Sequence, residues 1–239
     1  MSKALLIDLD GTLLQADTEE FVKQYMKSLT FYIKDYYNPE KFIQAIWEST
    51  EEMIKNLDSN LTNKEVFSNH FIEKSGVIDS EVWPLFERFY LEQFPKLKGL
   101  ISTTTISKNI VEIAKKQGRK VVVATNPLFP KDAIVERLRW LELDNFPFDL
   151  ITAFEDSHFC KPHVLYFEEI LDKISTKPED AIMIGNDMQE DMVASELGMS
   201  TYLVKDYLID RGSRSYTVNQ SGTLVELKEQ LQKKIGVFC

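Results

Sequence analysis

Short apolar runs with the length and composition of buried strands recur along the chain, and helical patterns separate most of them. The strand-type runs lie at residues 4–9, 120–125, 149–154, 181–184 and 200–204. Apolar spacing and glycine stops predict helices over residues 107–117, 131–141, 163–173, 189–197 and 223–234. Strands that alternate with short helices need crossover connections, which favour a mainly parallel sheet. The pattern therefore predicts an α/β, doubly wound (Rossmann-like) sheet core.

The segment from residue 17 to residue 97 has a different pattern, in which apolar and aromatic residues recur at helical spacing without strand-type alternation. Thr62 is followed three positions later by Glu65, a capping-box pattern that predicts a helix through residue 74. The aromatic residues are predicted to form the core of this segment rather than a ligand platform. We expect two domains: a core of residues 1–15 plus 98–239, and an all-helical insertion of residues 16–97.

Two carboxylates, Asp8 and Asp10, end the first apolar run and are followed by Gly11 and Thr12. Spacing of two on a strand places both side chains on one face, where they repel each other unless a cation or a shared proton intervenes. This arrangement suits a hard metal such as Mg²⁺, and it suits a nucleophile beside an acid/base. The alternative is a strand that simply runs out into an acidic turn.

Three further polar clusters follow in order along the chain. Thr125 and Asn126 end the second run, and Lys161 precedes a proline. Asp187 ends the stretch 181–187, and Asp191 follows four residues later. In an open α/β sheet the ligand crevice lies at the carboxyl ends of the strands. We therefore expect these distant clusters to converge on one site.

Composition and charge narrow the range of partners. The chain has 239 residues, of which 44% are hydrophobic and 28% charged, and its net charge is −10. This charge opposes nucleic acid as the main partner but permits a small anionic substrate, because a metal and one lysine make a site locally positive. Two cysteines, no apolar run of membrane-spanning length and no signal-peptide pattern favour a cytoplasmic protein without a membrane partner. Both a monomer and a homodimer fit the sequence.

The four clusters resemble, in order and type, the motifs of the haloacid dehalogenase (HAD) superfamily of phosphohydrolases. The run Asp8-Leu9-Asp10-Gly11-Thr12 matches the first motif, D-x-D-G-T, and Thr125, Lys161-Pro162 and the pair Asp187 and Asp191 match the other three. The helical insertion stands where many members carry a helical cap. One departure is Asn186, which intervenes in a fourth motif often written G-D-x-x-x-D. Because Asp187 still supplies the acid, metal binding is expected to survive.

The resemblance implies a catalytic role for each motif. Asp8 would attack phosphorus and carry an aspartyl-phosphate, and Asp10 would act as general acid and then as general base. Thr125 would hydrogen-bond the phosphoryl group, and Lys161 would neutralise its charge and that of Asp8. Amides at Gly11 would contribute an anion-binding nest.

The same resemblance implies a Mg²⁺ cofactor held by Asp8, the Asp10 carbonyl and Asp187. For Asp10 the alternative is a second carboxylate beside the metal, without a proton role. Asp191 would orient Lys161 or a metal-bound water, unless it is a solvated helix carboxylate. Asn126 would bind the same phosphate or would form a turn before a proline.

The leading hypothesis is a Mg²⁺-dependent phosphatase that acts on a small phosphomonoester, that is, a small phosphorylated metabolite. The alternatives are a phosphomutase of the same fold and a non-catalytic regulatory relative; carbon–halogen hydrolysis is disfavoured because the chain keeps both Asp10 and Asp187. Glu190 is expected to be exposed. The cap is expected to close over the site about hinges near residues 12–17 and 95–104.

Overall fold

The structure is a computed structural model that describes residues 3–102 and 104–239. Met1, Ser2 and Thr103 lie outside the described residues; they fall in the predicted core domain, and Thr103 also falls in the second predicted hinge. Within the described residues, six strands form one sheet in the order β3-β2-β1-β4-β5-β6, with every neighbouring pair parallel. The strands are β1 Ala4–Ile7, β2 Lys120–Val123, β3 Leu150–Ile151, β4 Ala181–Gly185, β5 Ser200–Val204 and β6 Gln220–Gly222. The predicted doubly wound α/β core is confirmed.

Eight α-helices accompany the sheet in the described part of the chain. Four follow β1: α1 Thr18–Ile33, α2 Pro39–Lys55, α3 Asn63–Ser75 and α4 Asp79–Glu92. Four alternate with the later strands: α5 Ile106–Lys116, α6 Lys131–Trp140, α7 Val164–Lys173 and α8 Leu224–Lys233. Short 3-10 helices span Phe94–Leu100, Pro178–Asp180, Met192–Leu197 and Gly236–Phe238.

Strands β1, β2, β4 and β5 are buried along almost their whole length, as continuous apolar runs predict for a parallel sheet covered on both faces. Leu5 and Ile7 of β1 belong to a core cluster that includes buried residues of α5, α6 and α8. Ala4 and Leu6 belong to a second cluster with buried residues of α7 and the Met192–Leu197 helix. Successive β1 side chains therefore pack on opposite layers, and this fixes the strand that carries Asp8 in the middle of the molecule.

The helical insertion matches its predicted pattern. Asp17, Asn38 and Thr62 each accept a backbone N–H bond at a helix start, and Thr62 with Glu65 forms the predicted capping box. Phe42, Phe71 and Phe89 are fully or almost fully buried in the main core cluster. These rings give the insertion an apolar core that is continuous with the rest of the protein.

Two local predictions are wrong. The helix predicted over 189–197 is a tight turn followed by a 3-10 helix over Met192–Leu197, because the Asp187 carboxylate accepts the backbone N–H groups of Gln189 and Glu190 and closes the turn. Strand β6, Gln220–Gly222, lies where the sequence pattern predicts no strand. Gly222 lets it approach β5, since an added Cβ would lie 2.5 Å from the Tyr202 hydroxyl. A three-residue polar strand has too few apolar positions to show a period.

Candidate active site

The predicted site residues meet at the carboxyl ends of the central strands. Asp8 directly follows β1, Thr125 lies just beyond β2, and Asp187 follows β4. Strand β1 lies between β2 and β4, where the strand order reverses. That reversal is the usual position of a ligand crevice in an open α/β sheet. The structure therefore brings the ends of all three strands to one edge of the sheet.

A buried ion cluster lies at the centre of this edge. The Lys161 Nζ is 2.9 Å from the Asp8 Oδ1 and 2.6 Å from the Asp191 Oδ1. The side chains of Lys161 and Asp191 are 1% exposed and that of Asp8 is 10% exposed. Two carboxylates thus share one ammonium, and the fully ionised cluster carries one negative charge away from water. The orienting role of Asp191 stays a prediction.

Burial dominates the protonation of this cluster. It raises the pKa of Asp8 to about 7 and that of Asp191 to about 6, against the opposing attraction of Lys161. Burial alone would lower the pKa of Lys161, but the two carboxylates outweigh it and raise that pKa well above its ordinary value. The lysine therefore stays charged at neutral pH. The buried site disfavours ionisation of both carboxyl groups at the same time.

The loop after Asp8 is locked onto the end of β4. The Thr12 hydroxyl donates to the Asn186 Oδ1 at 2.9 Å and lies 3.4 Å from the Asp8 Oδ2. Gly11 has φ +78°, and a Cβ there would lie 2.3 Å from the Asn186 Nδ2. The Gly11 N–H donates to the Leu14 carbonyl, so its contact with a phosphate stays a prediction. The Asn186 that departs from the motif therefore packs the two loops together.

Asn126 holds the loop that carries Lys161. Its Oδ1 accepts the Lys161 backbone N–H at 3.2 Å, and its Nδ2 lies 3.4 Å from the Lys161 carbonyl and 3.1 Å from the Glu190 Oε2. Contact between Asn126 and phosphate stays a prediction. Glu190 is half-buried rather than exposed as expected, because it bonds Asn126 and lies 3.6 Å from Arg211. Burial and the neighbouring Asp187 raise the pKa of Glu190.

The Asp187 carboxylate forms an ion pair with the Arg211 side chain. Its Oδ1 accepts the Gln189 and Glu190 N–H groups at 2.9 Å each, while the Arg211 Nη1 lies 2.8 Å from Oδ1 and 2.7 Å from Oδ2. The loop with Arg211 is held beside it, since the Ile209 carbonyl accepts the Met188 N–H. Oδ2 therefore faces a guanidinium rather than the backbone.

Asp10 is paired with a buried arginine on helix α6. The Arg137 Nη1 donates to the Asp10 Oδ2, and the Arg137 side chain is fully buried beneath the Phe129 ring, 4.7 Å from its centroid. Its Nε donates to the Ala133 carbonyl. Within the described residues the Asp10 Oδ1 and the Arg137 Nη2 are buried without a hydrogen-bond partner. Each therefore keeps unused hydrogen-bonding capacity beside the ion pair.

The sequence reasoning missed both arginines. Arg137 lies four residues after Ala133 and three after Ile134, on the buried side of α6. Its signal in the sequence was therefore a charged residue at the helical spacing of the apolar ones. Arg211 lies in a polar loop between β5 and β6, and such a loop carries no periodic signal. Only the folded chain shows that each arginine faces a predicted site carboxylate.

The donor set suits a hard cation. Among the described residues, no three carboxylate, imidazole or thiol side chains form a group able to hold a metal ion. The predicted Mg²⁺ set differs from such a group, because it comprises the Asp8 and Asp187 carboxylates and the main-chain carbonyl of Asp10. All are oxygen donors, as Mg²⁺ requires, and Asp187 already attracts a cation in the form of Arg211. The residues present therefore fit the metal.

The fold and the four motifs define a hydrolase, and the chain belongs to the haloacid dehalogenase-like hydrolase family, whose model matches residues 5–204. The glyceraldehyde 3-phosphate phosphatase of Methanothermobacter thermautotrophicus is 28% identical over 216 residues, covering 88% of each chain. The pyrophosphatase PpaX of Bacillus cereus is 24% identical over 200 residues, covering 84% of this chain and 82% of the relative. A HAD phosphatase of Thermococcus onnurineus has a similar structure, with TM-score 0.60, 21% identity, and coverage of 96% of this chain and 97% of its own.

In the described residues we find no helix both long enough and apolar enough to cross a membrane. Cys160 is buried, Cys239 is exposed, and both are free thiols.

Proposed function

We propose that this protein is a Mg²⁺-dependent phosphatase that hydrolyses a small phosphomonoester through an aspartyl-phosphate on Asp8. The observation that carries the proposal is the buried Lys161, whose Nζ contacts both Asp8 and Asp191. A buried cation beside a carboxylate nucleophile is what phosphoryl transfer needs, because the incoming phosphate is itself anionic. The phosphatase names of the relatives described above agree with this reaction class.

In the first step the Asp8 carboxylate attacks phosphorus. Its Oδ1 is paired with Lys161, so Oδ2 is the oxygen that forms the new P–O bond. The P–O bond to the alcohol breaks, and Asp10 donates a proton to the departing oxygen. Lys161 stabilises the negative charge that is spread over the transferring phosphoryl group, and Thr125 donates its hydroxyl to one phosphoryl oxygen.

In the second step the ionised Asp10 takes a proton from water, and the water oxygen attacks phosphorus. The P–O bond to Asp8 breaks, inorganic phosphate leaves, and both carboxyl groups return to their starting state. Arg137 fixes the position of the Asp10 carboxyl group in both steps, because its guanidinium is buried and cannot swing away.

Asp8, the Asp10 carbonyl and Asp187 would hold the magnesium ion. When bound, the ion neutralises phosphoryl charge and screens the repulsion between the phosphate and the carboxylates. Arg211 would leave the Asp187 Oδ2, and its side chain, which is 48% exposed, has room to turn towards solvent.

We further propose that the helical insertion, with the bounds predicted above, acts as a cap that closes over the site. Helix α3 supplies contacts for closure: the Asn63 N–H donates to the Ser157 carbonyl at 2.8 Å, and the Lys64 N–H donates to the Phe154 carbonyl at 2.9 Å. Structures with and without a phosphate mimic should differ in the angle between insertion and core, and equal angles would contradict closure. The cytoplasmic location and the choice between monomer and homodimer stay predictions.

The test is phosphate release from a panel of phosphomonoesters, with Mg²⁺ or with EDTA, for the wild type, Asp8→Asn and Asp172→Asn. Asp172 is an exposed carboxylate on α7 and serves as the matched control. We expect Mg²⁺-dependent release by the wild type and the control and none by Asp8→Asn. Equal activity in all three proteins would overturn the nucleophile. Isomerisation of hexose phosphates without net phosphate release would favour the phosphomutase, and no turnover with Mg²⁺ bound would favour the regulatory relative.

A further inference from the structure

A cavity of about 230 Å³ lies between the helical insertion and the loops that follow β2 and β3. Eight of its lining side chains are aromatic, among them Trp47, Phe67, Tyr90 and Phe129. We call this cavity the aromatic chamber. The sequence pattern predicts that the aromatic residues of the insertion form its own core, and for Phe42 and Phe71 this holds; the chamber is lined by others of the same stripe.

The chamber adjoins the residue that would protonate the leaving group. Its Phe129 wall covers the Arg137 guanidinium, and Arg137 pairs with Asp10. Leu128 and Phe129, which line the chamber, follow Asn126 within the loop that ends β2. A leaving group whose ester oxygen lies at Asp10 and whose phosphorus lies at Asp8 would extend towards this wall.

The polar edges of several lining rings are already paired with protein groups. The hydroxyls of Tyr25 and Tyr90 lie 2.9 Å apart and bond each other, and the Trp83 Nε1 donates to the Asp79 Oδ1 at 2.6 Å. The tyrosine pair keeps one unused hydroxyl hydrogen, so these three rings offer mainly their faces. Such a lining suits a flat ring, which packs edge-to-face against aromatic neighbours, better than a sugar with several hydroxyls.

The charges around the chamber disfavour a second anionic group on the substrate. Among the described residues that line it, Lys64 carries the one ammonium group, against the carboxylates of Glu87, Asp132 and Glu155. The Glu155 carboxylate already has a hydrogen-bond partner in the protein, because it accepts the Lys131 backbone N–H at the start of α6. A carboxylate or second phosphate placed here would therefore meet net repulsion.

We propose that the aromatic chamber binds the leaving group of the ester, and that the substrate is the monophosphate of an aryl- or heteroaryl-substituted alcohol without a second anionic group. An apolar cavity of about 150 Å³ is large enough for benzene, so about 230 Å³ accommodates one substituted ring. This inference rests on the phosphatase proposed above.

The kinetic test compares benzyl phosphate, glycerol 1-phosphate and phosphoglycolate, whose leaving groups are aromatic, polar and anionic. We expect kcat/KM for benzyl phosphate to exceed both others by about tenfold, the scale expected for burying one ring. Trp47→Ala should lower the ratio of benzyl to glycerol kcat/KM by a similar factor. Trp47 is 49% exposed at the chamber rim, so its removal leaves the buried core intact.

Phe31→Ala is the matched control, because Phe31 is an aromatic residue of α1 that is 69% exposed and does not line the chamber. It should leave the ratio unchanged. Glu87→Arg, at an exposed rim position, should raise kcat/KM for phosphoglycolate severalfold by replacing a repulsive charge with an attractive one. A preference for phosphoglycolate, or a Trp47→Ala effect equal for all three esters, would overturn the inference.

A binding measurement separates this inference from the phosphatase proposal. Calorimetric titration with 2-phenylethylphosphonate and with 3-phosphonopropionate requires no turnover. Tight binding of the phenyl compound alone, without hydrolysis of any ester, would support aromatic binding in the chamber and contradict the proposed phosphatase activity. Hydrolysis of the three esters at similar kcat/KM, together with equal binding of the two phosphonates, would support the phosphatase activity. It would contradict the proposed binding of an aromatic leaving group in the chamber. Failure to bind either compound or to hydrolyse any ester would reject both.

Discussion

Removing the charge of Asp8 is expected to stabilise the metal-free protein. Its side chain is 10% exposed and shares Lys161 with Asp191, so the ionised carboxylate lies in a cluster that already holds excess negative charge. Asparagine has nearly the same shape, and its oxygen can still accept from the Lys161 Nζ. The change Asp8→Asn therefore removes the cost of burying a charge while it keeps most of the packing.

The magnitude follows from the protonation of the site. A rise in the pKa of Asp8 from 3.8 to about 7 corresponds to about 4 kcal/mol, at about 1.4 kcal/mol per pH unit. Because the two carboxylates share one ammonium, part of this free energy reappears at Asp191, and we expect the variant to gain about 2 kcal/mol at pH 8. The folded protein binds the proton more tightly than the unfolded chain does. Wild-type stability therefore falls as pH rises from about 4 to about 7, whereas the variant lacks this loss.

Urea denaturation in EDTA at pH 8 and pH 5 measures this effect. The free energy of unfolding should be higher for Asp8→Asn at pH 8, and the difference should shrink to roughly a third at pH 5, where native Asp8 is mostly protonated. Asp172→Asn, at an exposed position, should stay within about 0.5 kcal/mol of the wild type. Adding Mg²⁺ should narrow the gap by stabilising the wild type. A variant less stable than the wild type at pH 8 in EDTA would refute the reasoning, because the ion pair would then outweigh the burial cost.

Three further outcomes are expected. Lys161→Met leaves two buried carboxylates without their cation and should lower the free energy of unfolding by about 3 kcal/mol at pH 8 in urea; wild-type stability would contradict the shared-cation cluster. Arg211→Ala should tighten Mg²⁺ binding to the EDTA-stripped protein about two- to fivefold by calorimetry, because Arg211 competes for Asp187; unchanged affinity would show that it does not. A thiol reagent should modify Cys239 rapidly and Cys160 only after unfolding, because burial shields Cys160 and raises its pKa; two fast thiols would show that its environment opens.

Much of the fold could be read from the sequence, because each signal is local. The apolar runs around Ile7 and Val123 predict buried parallel strands, since both faces of such strands are covered and no polar alternation interrupts them. Thr62 with Glu65 predicts a helix start, since the two residues satisfy each other's backbone groups within one turn. Asp8 was predicted as a site residue because the strand ends of a parallel sheet meet at one edge, and Lys161 because of its place in the order of the motifs.

The partners of those residues were decided by tertiary structure alone. Arg137 and Arg211 reach Asp10 and Asp187 across 127 and 24 residues of sequence, and no local pattern specifies such a distance. The tight turn after Asp187 forms because that carboxylate accepts the backbone N–H groups of Gln189 and Glu190, and these bonds override the helical spacing of the sequence.

The same distinction holds for the aromatic stripe of the insertion. Spacing alone places Phe71 and Trp47 on apolar helical faces, but it does not distinguish a buried core position from a cavity wall. Phe71 is fully buried, whereas Trp47 is 49% exposed at the rim of a cavity. A helical period specifies which side chains avoid water, but the shape of the neighbouring element determines whether they meet another side chain or an open space.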